Sequence, residues 1–255
     1  MAHPHFDLSG RTALVTGGSR GLGVTIATAL AEAGADVVVT STKRDEIEAS
    51  AARIGAATGR RVIGLAGDVS VESDCTAIID GTEAAFGRLD ILVNNAGVNL
   101  RGAVDELPLA DFERSLAVNV TGTWLMCRTA KRLLKQSPAA RVVNMGSSFG
   151  TIAAANRTSY TAAKGAVHQI TRALAVEWAD IPINVNALAP GPFLTDMNVP
   201  HQHSEHAVRV IGQEILLRRW AELQEIVGPL LMLASDASSY VTGAIIPVDG
   251  GWTAH

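Results

Sequence analysis

The 255-residue chain has only two cysteines, Cys75 and Cys127, far apart in sequence. Two such thiols exclude a disulfide framework, and neither stands in a metal-type spacing such as C-x-x-C. Both read as small packing residues in a reducing compartment. No apolar run approaches the ~18 residues that a membrane-spanning helix needs. The opening MAHPHFDLSG lacks the charged start and apolar stretch of a secretory leader, so a cytoplasmic location is expected. No block or stripe of Lys and Arg is present, and the formal net charge is -4. Nucleic acid is therefore not an expected partner. An anionic ligand has to be held by a local site, not by the field of the whole molecule. Linkers rich in Pro, Ser or charge are missing, as is any short-period repeat. One domain is expected, a common arrangement for α/β chains of this length.

Apolar residues make up 47% of the chain, enough for a large core. They fall in short β-branched runs: TALVT (12–16), DVVVT (36–40), RVIGL (61–65), DILVN (90–94), RVVNM (141–145) and INVNAL (183–188). Longer stretches with helical spacing lie between, such as 23–33 and 158–178. Strand and helix in alternation predict right-handed crossovers and a parallel sheet covered on both faces. AIIPV (244–248) adds an edge strand, for about seven in all. From Pro190 to about Arg219 the sequence reads as irregular, and it contains HQHSEH (201–206). Long structureless connections in compact domains are usually lids, so 193–219 is expected to be a mobile substrate lid.

Directly after the first strand comes TGGSRGLG, Thr16 to Gly23. Gly17, Gly21 and Gly23 stand where strand turns into helix. A dinucleotide brings its pyrophosphate against backbone amides at a helix N-terminus, and side chains there would block the approach. The placement after the first strand is the context this motif requires.

The spacing is G-x-x-x-G-x-G, and other motifs follow in order. NNAG (94–97) follows the fourth strand, and Asn119 lies in LAVNVTG. Ser147 stands thirteen residues before Tyr160, which opens Y-x-x-x-K with Lys164. Pro190 and Gly191 close the sixth strand, Thr195 follows, and VDGG (248–251) ends the last. This ordered set, spanning nearly the whole chain, resembles the short-chain dehydrogenase/reductase family. The resemblance implies a Rossmann-type doubly wound sheet and a homotetramer joined through a helix from about 109 to 134, the helix of Tyr160 and residues 236–252. It implies a catalytic set of Asn119, Ser147, Tyr160 and Lys164, with Asn119 supporting a water relay to Lys164. It places the cofactor against Gly17, Ser19, Arg20, Gly21, Leu22 and Gly23 and against Ser41, Thr42 and Lys43. Further contacts are implied at Asp68 and Val69, at Asn95, Ala96 and Gly97, at Tyr160 and Lys164, and at Pro190, Gly191 and Thr195.

The residue types suit carbonyl reduction. A phenol has a pKa of about 10, too high for an acid–base group near neutrality. Lys164 lies one helical turn from Tyr160, so its charge favours phenolate. Ser147 can hydrogen-bond the carbonyl oxygen where charge develops. Its neighbour Ser148 is a rival, since adjacent strand-end residues point different ways. An acid after strand two would bind the ribose hydroxyls of NAD and repel a 2′-phosphate. Here that place holds Ser41, with Lys43, Arg44 and Arg20 nearby, so NADP is expected; the absence of arginine at Thr42 leaves NAD open. The leading expectation is an NADP-dependent carbonyl reductase, of 3-oxoacyl or other ketone type. The alternatives are an NAD-dependent polyol or sugar-acid dehydrogenase, and a non-catalytic dinucleotide sensor. No metal is expected at His201, His203 and His206, whose spacing matches no common zinc pattern. His168, Trp178 and Trp220 read as packing or subunit contacts.

Overall fold

A computed structural model describes residues 4–195, 198–199 and 202–254. His201 lies outside them, as does the side chain of His206. The strands are β1 (Thr12–Thr16), β2 (Asp36–Ser41), β3 (Val62–Ala66), β4 (Ile91–Asn94), β5 (Ala140–Met145), β6 (Ile183–Pro190) and β7 (Ile245–Val248). They form one sheet in the order β3-β2-β1-β4-β5-β6-β7, and every pairing is parallel. All seven lie within a residue or two of the runs expected from sequence.

Because side chains alternate along a strand, β1 serves two cores. Ala13 and Val15 pack on one face with Ile26 and Leu30 of α1 (Gly21–Glu32), Ile47 of α2 (Arg44–Thr58) and Leu230. Leu14 packs on the other face with Ile78 of α3 (Glu72–Phe86), Met126 and Trp178. With both faces covered, the strands read as continuous apolar runs. The order reverses between β1 and β4, and ligands bind at the carboxyl edge beside such a switch point.

Two elements differ from the sequence expectation. The helix expected over about 109–134 is three pieces: α4 (Leu109–Leu116), a π-turn over Ala117–Thr121, and α5 (Gly122–Leu134). Asn119 explains the interruption. Its Nδ2 donates to the Ser115 carbonyl at 2.9 Å, and its own carbonyl accepts from Thr123 Oγ1 at 2.8 Å. Side-chain bonds of this kind compete with the helical ladder, and π-turns concentrate at functional sites.

The second difference is the stretch after β6, which is not wholly irregular. It carries α7 (Glu205–Arg209) and a π-turn over Val210–Glu214. Val210, Ile211 and Ile215 pack with Trp252 against Phe149, Ile152 and Trp220. Its ends are tied together: Leu194 N donates to Ala221 O, and Ala221 N to Pro192 O, both at 3.0 Å.

Candidate active site

A cleft of about 430 Å³ runs along the carboxyl edge of the sheet from β2 to α6 (Thr158–Glu177). At its centre lies the turn between β1 and α1. Gly17 and Gly21 are left-handed, with φ of 69° and 53°. A Cβ on Gly23 would sit 2.0 Å from the Gly17 carbonyl oxygen, so only glycine closes this turn. Arg20 is the N-cap of α1 and makes no side-chain capping bond. The first-turn amides of α1 thus lack a side-chain cap and face the cleft, an arrangement that receives phosphate.

The turn is braced by the NNAG segment. Thr16 Oγ1 accepts from the amides of Asn95 and Ala96, at 3.0 and 2.9 Å. Asn95 Nδ2 donates to the carbonyls of Thr16 and Gly17, at 2.9 and 3.2 Å. Asn95 therefore holds the shape of the turn. One end of the cleft is bounded by Ser41, Thr42 and Lys43. The Ser41 hydroxyl is buried there without a partner, whereas Lys43 is held by Glu46 at 2.6 Å. Asp68 and Val69 line the wall beyond. Burial alone would raise the Asp68 carboxyl, but hydrogen bonds from Ser70 and the Arg114 guanidinium at 3.0 Å hold it below its ordinary value.

At the other end stand Ser147, Tyr160 and Lys164. Ser147 stands two residues past β5, and its hydroxyl hydrogen-bonds Tyr160. Ser148 turns the other way, its hydroxyl 3.4 Å from the Pro190 carbonyl and from Asp249 Oδ2. Burial raises the Tyr160 phenol, while the Ser147 hydrogen bond and the Arg157 cation oppose the rise. Lys164 is buried, donates to the Met145 carbonyl at 2.7 Å, and lies 5.5 Å from the Tyr160 ring centroid. Burial pushes its ammonium down to about 8.

Asn119 is the one expected site residue that does not line the cleft; it stands directly behind it. Its Nδ2 donates to the Val98 carbonyl at 2.9 Å, and its Oδ1 is buried without a partner. A Cβ on Gly97 would lie 2.7 Å from that oxygen and 3.7 Å from Lys164 Nζ. The two polar atoms thus border one small gap, kept open by a missing side chain. Pro190, Gly191 and Thr195 close the cleft from the β6 side.

The family model described as enoyl-(acyl carrier protein) reductase matches residues 17–253. The 2-dehydro-3-deoxy-D-gluconate 5-dehydrogenase of Dickeya dadantii is 38% identical, with 98% of each chain covered. The rhamnolipid-biosynthesis 3-oxoacyl-[acyl-carrier-protein] reductase of Pseudomonas aeruginosa is 36% identical over 98% of this chain and 99% of its own. A gluconate 5-dehydrogenase from Burkholderia cenocepacia, solved with NADP and tartrate, superposes with a TM-score of 0.94 at 33% identity, covering 98% of each chain. The chain belongs to the short-chain dehydrogenase/reductase family. It is an NAD(P)-dependent oxidoreductase acting between carbonyl and alcohol.

As a short-chain dehydrogenase/reductase the chain brings its expected site residues together, and the sequence reading missed several neighbours. Arg114, Val118, Met145, Phe193 and Asn198 also line the cleft. Arg114 arrives through its ion pair with Asp68, 46 positions away. Arg157, which acts on Tyr160, stands in no motif. His168 is buried, as expected of a packing residue, and Trp178 likewise; Trp220 is half-buried, while His203 is exposed on the segment after β6.

Proposed function

We propose that the chain is an NADP-dependent ketone reductase or alcohol dehydrogenase, with catalysis at Tyr160, Lys164, Ser147 and Asn119. The observation that carries this is the intact Ser147–Tyr160–Lys164 set at the inner end of a cleft whose glycine turn has room for a pyrophosphate. When bound, the nicotinamide donates the hydride in reduction and accepts it in oxidation. Tyr160 gives its phenolic proton to the carbonyl oxygen in reduction and takes the hydroxyl proton in oxidation. Ser147 hydrogen-bonds the same oxygen and stabilises the charge that develops on it. Lys164, held against the Met145 carbonyl, favours the phenolate by its positive charge and would bind the nicotinamide ribose when the cofactor is present. Asn119 Oδ1 and Lys164 Nζ border a gap suited to a water, through which Tyr160 would be reprotonated.

The preference for NADP rests on Ser41 in place of an acid and on Arg20, which joins no ion pair among the described residues. It accords with the Burkholderia cenocepacia relative, solved with NADP. The Glu46 partner of Lys43 favours the second reading, an NAD-dependent polyol or sugar-acid dehydrogenase, because it neutralises a cation beside the 2′ position. A dinucleotide sensor would have no need of the complete catalytic set. We further read the chain as one catalytic domain, closed over substrate by 193–219, assembled as a cytoplasmic homotetramer.

The test is nicotinamide absorbance on a panel of 3-oxoacyl thioesters, sugar acids, polyols and simple ketones, with both cofactors. NADP is expected to give the higher kcat/KM, and Tyr160→Phe to lose turnover by ~10² or more while still binding NADP. Near-wild-type turnover by that variant would remove Tyr160 from its role, and a preference for NAD would remove the NADP assignment.

A further inference from the structure

Two arginines near Tyr160, just outside the lining of the cleft, are accounted for by no motif of the chain. Arg157 is the N-cap of α6, three positions before Tyr160. Arg101 lies in the loop that follows β4. Two hydrogen bonds tie their loops together on either side of the pair. Ser159 Oγ donates to the Leu100 carbonyl at 3.1 Å, and Gly102 N donates to the Asn156 carbonyl at 3.3 Å. Asn156 takes a left-handed conformation, φ 61°, to turn the chain into Arg157. The two loops leave adjacent strands at the carboxyl edge of the sheet, the edge along which the cleft runs.

Neither guanidinium joins an ion pair or donates a hydrogen bond among the described residues. Arg114, Arg128, Arg132, Arg209 and Arg219 each hold a carboxylate. With 25 acidic residues, the chain has no shortage of carboxylates to set beside these two. Arg157 is half-buried, and its affinity for its proton falls to a pKa of about 10, through burial first and the Arg101 charge second. Arg101 is exposed, so the cost falls on Arg157, partly desolvated and unpaired beside a second cation, an arrangement that an anion would complete. A planar guanidinium fork matches a carboxylate in two parallel hydrogen bonds.

The anion has to lie close to the reacting carbon, because Arg157 caps α6 only three positions before Tyr160. A phosphate at the far end of a long thioester arm is too distant to serve. A neutral polyol has nothing to offer two cations. We propose that Arg157 and Arg101 form an anion subsite for the substrate, and that the substrate is a small hydroxy acid or the matching oxo acid, held by its carboxylate. This rests on the reading of Tyr160, Ser147 and Lys164 as the redox centre. In the oxidative direction the carbinol carbon gives its hydride to the nicotinamide and its hydroxyl proton to the Tyr160 phenolate, leaving a ketone. The carboxylate stays unchanged throughout.

The NADP-loaded enzyme is tested with two pairs that share a carbon skeleton: tartrate with threitol, and gluconate with sorbitol. Binding is read as a shift in melting temperature, and turnover as nicotinamide absorbance. The acids are expected to bind at least ten-fold more tightly than their neutral partners. Arg157→Gln is expected to lose that advantage, Arg157→Lys to keep part of it, and Arg101→Gln to lose less. NADP alone should protect every variant as it protects the wild type, which separates loss of the subsite from loss of the fold. Equal binding of threitol and tartrate, or undiminished tartrate binding by the Arg101→Gln/Arg157→Gln double variant, would overturn the proposal. So would inorganic phosphate protecting better than tartrate alongside turnover of a 3-oxoacyl thioester. A panel with no turnover at all would sink the redox reading, while tartrate binding would still decide the subsite.

Discussion

His168 shows how a single residue is fixed by neighbours that sequence spacing does not reveal. It lies one turn beyond Lys164 on α6 and is buried. A Cβ on Gly146 would come within 2.4 Å of its ring, and one on Gly150 within 2.3 Å. The imidazole thus fills a slot between the two glycines that flank the Ser147 loop. Burial first, then the charges of Arg172 and Lys164, push it down from 6.5 to about 4, against one opposing hydrogen bond to the backbone of Gly150. A depressed histidine gives stability that is whole above its unfolded value and lost as pH falls toward its folded value. Between pH 6.5 and 4 the unfolded chain takes up a proton that the folded one refuses. Relative to His168→Gln, the wild type should therefore lose on the order of 2 kcal/mol over that range. Urea midpoints at pH 7, 6, 5 and 4 measure it, and parallel curves for the two proteins would contradict it. At this scale the residues proposed as catalytic stood out because their order and spacing match the family pattern. The Gly146–His168–Gly150 packing and the Arg101–Arg157 pair were not, because each joins loops or elements that only the fold brings together.

Among the elements, the strands were the most legible. Each is buried on both faces, and such burial leaves a continuous β-branched run in the sequence. The π-turn at Asn119 was hidden, since apolar spacing alone does not distinguish it from an unbroken helix. The segment after β6 was misread as wholly irregular. Ala207, Val210 and Ile211 stand at helical spacing and all are buried, but the pattern is too short to dominate its polar surroundings. Its geometry still suits a cover. Phe193 and Ala221 pin its two ends in a parallel bridge, and its apolar side rests on Phe149 and Trp252. Phe149 in turn meets the Tyr160 ring edge-on, with centroids 6.3 Å apart. A cover held by one small cluster can lift without disturbing the sheet. Amides of 202–215 should therefore exchange faster than those of β5 and β6 in the free enzyme. They should slow when NADP and a substrate acid are bound together. Exchange that is already slow, and unchanged by ligands, would show a fixed part of the fold instead.

The outer surface of the whole molecule bears on the proposed tetramer. Exposed apolar side chains are ordinary when scattered singly. Here several fall on the three stretches that the family pattern assigns to subunit contacts. Leu109 and Trp124 are 70% and 44% exposed on the α4–α5 rod, Val176 is 77% exposed on α6, and Tyr240 is fully exposed before β7. Such groups mark interfaces when they belong to one contiguous surface. α6 carries Tyr160 and Lys164 as well as Val176, so a partner packed on it would also steady these two proposed catalytic residues. Closed symmetric assembly of identical chains would cover equivalent patches on every subunit. Light scattering at micromolar concentration should then give four times the 26.6 kDa chain mass. Val176→Glu would place a charge in that contact, and should yield smaller species with a lower melting temperature and reduced turnover. A wild type that stays monomeric at these concentrations would refute the tetramer. A Val176→Glu protein that remains tetrameric and fully active would move the contact off α6.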